Sequence, residues 1–157
     1  MNVSKIFRLM VFAACVTLPT AGLAQTVLNV LTPEKSAAFS LEELLAMPQT
    51  TVVTKNDYVD AATRFQGPLL SSILELLEID RSETLKMVAL NDFASEVPAS
   101  DAYDFTVILA VLRDGERMSV RDKGPIWVIY PMDDNPELQD EAYNGRLVWQ
   151  LKEISVE

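Results

Sequence analysis

The chain has 157 residues, with 13 Lys and Arg against 23 Asp and Glu, no histidine and a single cysteine, Cys15. So acidic a balance argues against nucleic acid and anionic membrane surfaces as partners. With no imidazole and one thiol, most zinc sites, thiol nucleophiles and Ser-His-Asp arrangements are excluded.

The N-terminus has the three parts of an export signal. Lys5 and Arg8 carry its charge, Leu9 to Leu18 form a short apolar run, and Pro19 breaks it. Gly22 and Ala24 supply the small residues before Gln25. The expectation is a signal peptide over 1–24 and one exported, periplasmic domain over 25–157. A lipoprotein signal acylated at Cys15 and a retained N-terminal anchor are the alternatives. Removing Lys5 and Arg8 leaves 11 basic residues against 23 acidic ones, a net charge of −12. Loss of the whole signal, Cys15 included, also leaves no cysteine, so core and sheet must supply the stability that disulfides give many exported domains.

Val27 to Val30 reads as a first strand. Ser40 and Glu43 form a capping box that opens a short helix through Leu44, Leu45 and Met47, stopped by Pro48. Thr50 to Thr54 is β-branched almost throughout and predicts a strand. Leu69 to Leu77 has apolar residues at helical spacing, directly after Pro68. Further strands are expected at Leu85–Leu90, along the apolar run Phe105–Leu112, and at Arg117–Val120 after an Asp114-Gly115 turn. Ile126 to Tyr130 is apolar on both faces and predicts a central strand ended by Pro131. An acidic loop, Asp133 to Asn144, leads to a last strand over Leu147–Val156. The fold class is α+β, mostly sheet, with two short helices.

Four segments in this order carry a resemblance. They are Arg64-Phe65-Gln66-Gly67-Pro68-Leu69-Leu70; Asn91-Asp92-Phe93 with Val97-Pro98; Asp114-Gly115 with Lys123-Gly124-Pro125-Ile126-Trp127-Val128-Ile129-Tyr130-Pro131; and Arg146-Leu147-Val148-Trp149-Gln150-Leu151. Together, over about residues 28–156, they resemble the molybdopterin-binding domain of the sulfite oxidase superfamily, and more narrowly its small exported single-domain members. The resemblance implies a mixed, mostly β fold with a pterin pocket on one side. In the metal enzymes a cysteine thiolate at the end of the strand leading into the Arg-Phe-x-Gly region binds molybdenum. Here that stretch is Thr54-Lys55-Asn56-Asp57-Tyr58, and none of these replaces a soft thiolate. Small members of this kind are thought to bind a metal-free pterin and report it to a membrane-bound signalling protein, such as a cyclic di-GMP enzyme or a sensor kinase.

The resemblance implies a set of pterin contacts. Tyr58 falls near the cysteine position and offers a flat ring for stacking; otherwise it is a half-buried strand residue. Arg64 offers a planar donor fork for a carbonyl or phosphate, or else forms a surface ion pair. Asn91 and Asp92 could read the donor–acceptor edge of the ring, or simply build an Asx turn. Arg146 and Trp149 fall where the last segment of the superfamily wraps the phosphate side, Arg146 as an anion contact and Trp149 as part core, part pocket wall. Trp127 reads as core. The basic residues Arg113, Arg117, Arg121 and Lys123 read as a solvated hairpin neutralised by Asp114, Glu116 and Asp122, with docking of an acidic partner as the alternative. The acidic loop lacks calcium-loop spacing. The expected function is a metal-free pterin-binding module, not an enzyme. The alternatives are a molybdopterin-dependent oxidoreductase or its accessory subunit, and a pure interaction domain.

Overall fold

The computed structural model describes residues 24–156. The export signal expected over 1–24 therefore lies, apart from Ala24, outside the described residues. Strand β1 (Thr26–Leu31) buries Leu28 and Val30 at a spacing of two and turns at Thr32 into the antiparallel β2 (Ser36–Ser40). The Thr32 hydroxyl accepts from the Lys35 amide at 2.9 Å and fixes that turn. Helix α1 (Leu41–Ala46) starts at the expected capping box. The Ser40 hydroxyl accepts from the Glu43 amide, and the Glu43 carboxylate accepts from the Ser40 amide at 2.7 Å.

Strands β3 (Thr50–Asn56) and β4 (Val59–Gly67) form the longest hairpin. Pro68 follows, and α2 (Leu70–Leu76) buries Leu70, Ile73 and Leu74, one stripe at helical spacing. Strands β5 (Thr84–Ala89) and β6 (Ala94–Pro98) pair antiparallel, and α3 (Asp101–Asp104) follows directly. Next come β7 (Ile108–Ala110), the short hairpin β8 (Leu112–Arg113) and β9 (Glu116–Arg117), then β10 (Trp127–Ile129) and β11 (Leu151–Ser155). Asp114 and Gly115 take φ of 51° and 85°, the left-handed pair that closes a two-residue hairpin with the strand twist.

Among the described residues three sheets result, in the orders β2-β1-β11-β5-β6, β3-β4-β8-β9 and β10-β7, with β1 and β11 parallel. The protein is α+β and mostly sheet, as the patterning predicts. One apolar cluster fills the space between the five-stranded sheet and the helices. A smaller one around Phe65, Ile108 and Trp127 lies under the β3–β4 hairpin. Trp127 is fully buried and meets Phe65 edge-on at 5.3 Å between ring centroids, so it is core as expected. Among the described residues no helix is long and apolar enough to cross a membrane.

Several elements depart from the sequence reading. The run Phe105–Leu112 is not one strand. The Phe105 amide caps α3 on Asp101, Ile108–Ala110 pair with β10, and the Val111 amide then turns to Gln66 of β4 at 2.9 Å. The chain changes sheets there, which an apolar run cannot reveal. Ile126–Tyr130 is wholly buried, yet β10 pairs with β7 on one side and meets only an isolated bridge to Trp149 on the other. It is central to the core rather than to a wide sheet. After the hairpin only Glu116 and Arg117 pair back, and Val120 enters a 3-10 turn. The last strand begins at Leu151, because Gln150 takes a φ of 52°. The acidic loop is wound into two 3-10 turns, Pro136–Gln139 and Glu141–Arg146. A third helix, α3, accompanies the two expected, and four residues leave no period to read.

Candidate functional site

Three segments meet at the end of the antiparallel β5–β11 pair, where Ala89 faces Leu151: the β3–β4 turn, the β5–β6 turn and the stretch Asn144–Trp149 that precedes β11. They enclose a cavity of about 180 Å3 lined by Tyr58, Ala89, Asn91, Phe93, Asn144, Gly145, Leu147, Val148 and Trp149. Local chemistry holds each segment. The Asn56 side-chain oxygen accepts from the Tyr58 amide at 2.9 Å, an Asx turn that presents the phenol. Asn91 does the same for the Phe93 amide at 3.2 Å, and Asp92 takes a φ of 66°. The Leu90 amide donates to the Gln150 carbonyl at 2.9 Å and ties this turn to the third segment.

That third segment is fastened to the core. The Trp127 indole N–H donates to the Leu147 carbonyl at 3.1 Å, and the Val128 amide donates to the Val148 carbonyl at 2.9 Å. Trp149 is thereby left half-buried between two groups. On one contact the Tyr58 ring meets it edge-on, 4.8 Å between centroids at 73°. On the other, the Lys123 ammonium stands 5.6 Å from its ring and 5.5 Å from that of Trp127. A cation this close to two indoles is held by the ring quadrupoles. The Tyr58 hydroxyl reaches the Asn144 carbonyl at 3.5 Å, and the Asn144 side-chain amide donates to Asp57.

Of the six residues the sequence pointed to, Tyr58, Asn91 and Trp149 line this one cavity. Asp92 lies in the same turn, but its carboxylate is exposed and accepts from the Lys152 ammonium at 2.6 Å, which holds its pKa below the ordinary aspartate range. Arg64 is exposed on β4, opposite Val53 of β3, and its side chain does not line the cavity. Arg146 adjoins the cavity wall in sequence, but its guanidinium turns inward. It donates to the Asp101 carboxylate at 2.6 Å and stacks over Tyr143 at 4.5 Å. The buried Tyr130 hydroxyl donates to the same Asp101 oxygen at 2.8 Å. Burial lowers the Arg146 pKa, but bonding to Asp101 more than restores it, so the guanidinium stays charged. Phe93 and Asn144 were not singled out from the sequence. Phe93 lies within the quoted Asn-Asp-Phe triplet, while nothing marks Asn144 in its acidic loop.

The cavity is smaller than the ~300–1,000 Å3 of pockets that enclose drug-sized ligands. It suits one small flat ring: two aromatic walls offer faces, and Asn91 and Asn144 offer amides at the rim. Among the described residues the Asn91 side-chain nitrogen makes no hydrogen bond and remains available as a donor. For molybdenum the donor set does not fit. Residues 54–58 present a hydroxyl, an ammonium, an amide, a carboxylate and a phenol, and no thiolate.

No protein-family model matches the chain, and no curated protein matches it. Among solved structures it is similar to the crystal structure of the sulfane dehydrogenase SoxCD from Paracoccus pantotrophus, with a TM-score of 0.60 and 16% identity. The match covers 82% of this chain and 37% of that one, so the chain spans well under half of the protein it resembles. At this identity the likeness shows the fold alone. The chain has a mixed α+β, mostly sheet, sulfite-oxidase-like fold.

Proposed function

We propose that the domain is a metal-free pterin-binding module that reports ligand occupancy to a membrane-bound regulator. The observation that carries this reading is the ring-walled cavity formed by Tyr58 and Trp149, with Asn91 and Asn144 at its rim. A pterin is flat and apolar on its faces and lines one edge with alternating donors and acceptors. An amide can pair with such an edge in both senses. Tyr58 and Trp149 supply the faces, and Asn91 the edge partner. Arg64, Asp92 and Arg146 stand outside this contact set, so the cavity takes the ring and leaves any substituent toward solvent.

The signalling half of the proposal rests on the family resemblance and on the export signal expected before Gln25. Both support a periplasmic location, within reach of the external domain of a membrane protein. The oxidoreductase alternative would need a metal, and residues 54–58 give it no soft ligand. Analysis of the exported protein from cells replete in molybdenum tests the proposal. Acid extraction should release pterin fluorescence, with molybdenum far below one atom per chain. Near-stoichiometric molybdenum would overturn it.

A further inference from the structure

Arg146 directly precedes the cavity wall in the chain, yet its charge is used inside the protein. Its side chain is 23% exposed and that of Asp101 is 8% exposed. The pair joins the end of the Glu141–Arg146 turn to α3, 45 residues earlier in the chain. Tyr130 donates to the same carboxylate from the end of β10, and Tyr143 lies under the guanidinium. Tyr143 also meets Tyr130 and Phe105 edge-on, at 5.9 and 6.3 Å. The wall residues Leu147, Val148 and Trp149 follow Arg146 immediately. Their anchors to β10 are the Trp127 indole and the Val128 amide. The wall is thus held from β10, by the Trp127 indole and the Val128 amide, and from this buried charge cluster.

We propose that Arg146 is a positioning residue for the cavity, acting through Asp101 to hold the Leu147–Trp149 wall in place rather than touching the ligand. This rests on the cavity being the ligand site. A buried carboxylate that loses its only cationic partner is left uncompensated, and the turn that carried the partner is free to move. Neutralising Asp101 releases the same turn from the other side. The two residues therefore act as one unit, and their effects should not add.

A double-mutant cycle separates the possibilities. Arg146→Met, Asp101→Asn and the double variant are compared with wild type, at a temperature where melting curves show each folded. One readout is affinity for unsubstituted tetrahydropterin. The other is acrylamide quenching of tryptophan, which follows Trp149 because Trp127 is fully buried. Both single variants should increase quenching and weaken binding about tenfold, the equivalent of ~1.4 kcal/mol. The double variant should be no worse, and Arg146→Lys, which keeps the ion pair, should restore part of the affinity. If Asp101→Asn binds as wild type does while Arg146→Met does not, Arg146 touches the ligand and the proposal falls. It falls equally if neither variant changes quenching or affinity. Quenching that rises as expected in a protein that never binds tetrahydropterin would uphold the wall's two anchors and sink the pterin reading alone.

Discussion

Tyr130 shows how one phenol reports on a buried cluster. Burial first, then the Asp101 charge beside it, holds its pKa well above the ordinary tyrosine value. Unfolding returns that phenol to about 10. Above that pH the unfolded chain holds fewer protons than the folded one, so stability is complete below about pH 10 and falls as pH rises beyond it. Tyr130→Phe should flatten this alkaline fall. Tyr103, raised by burial and by Glu75 and Asp80, keeps a smaller share. Urea midpoints at about pH 9 and about pH 11 check this. An equal drop in variant and wild type would show that the phenol is not held by the cluster. At this scale the sequence was legible where a residue's own shape decides its use. Tyr58 and Trp149 have rings that suit a pocket wall, and both line the cavity. It was not legible for charge. Whether Arg146 faces a ligand or Asp101 depends on a residue 45 positions away, and motif order carries no information about that choice.

Elements were legible where a local rule suffices. The capping box at Ser40, the two-residue turn at Asp114-Gly115 and the apolar stripe of α2 each follow from a few neighbouring residues, and each stands where the patterning put it. Strands β2, β4 and β6 gave weaker signals. Ser36–Ser40 and Ala94–Pro98 are edge strands with few β-branched or aromatic residues, and Val59–Gly67 hides its alternation behind small and charged ones. The break in the run Phe105–Leu112 depends on which backbone comes near. Gly67 sits at that approach: a Cβ there would lie 1.9 Å from the Leu109 carbonyl oxygen. The Pro68 carbonyl next to it accepts from the Leu109 amide at 2.9 Å. Gly67→Ala must therefore push β4 away from β7, and it should cost about 3 kcal/mol or more, the upper end of overpacking effects. Denaturant unfolding measures this, and a loss under about 0.5 kcal/mol, the ordinary range for surface changes, would mean that the two strands separate freely.

For the molecule as a whole, length foretold a domain with room for a core, residue patterning foretold that it is mostly β, and the motif order foretold its sulfite-oxidase-like fold. Neither could show that only three of the six expected contacts would converge. Convergence is set by how the β3–β4 turn, the β5–β6 turn and the stretch before β11 pack together, and these lie far apart in the chain. The account's central claim is that a pterin ring sits in the cavity walled by Tyr58 and Trp149. Calorimetric titration of the exported protein with a tetrahydropterin tests it most directly. One ring should bind per chain. Tyr58→Ala and Trp149→Ala should each weaken binding several-fold, since an aromatic contact carries about 0.5–1.5 kcal/mol beyond its buried area, and Tyr58→Ala should leave the melting temperature of the free protein nearly unchanged. No saturable heat from the wild-type protein, or full affinity in Tyr58→Ala, would contradict the account.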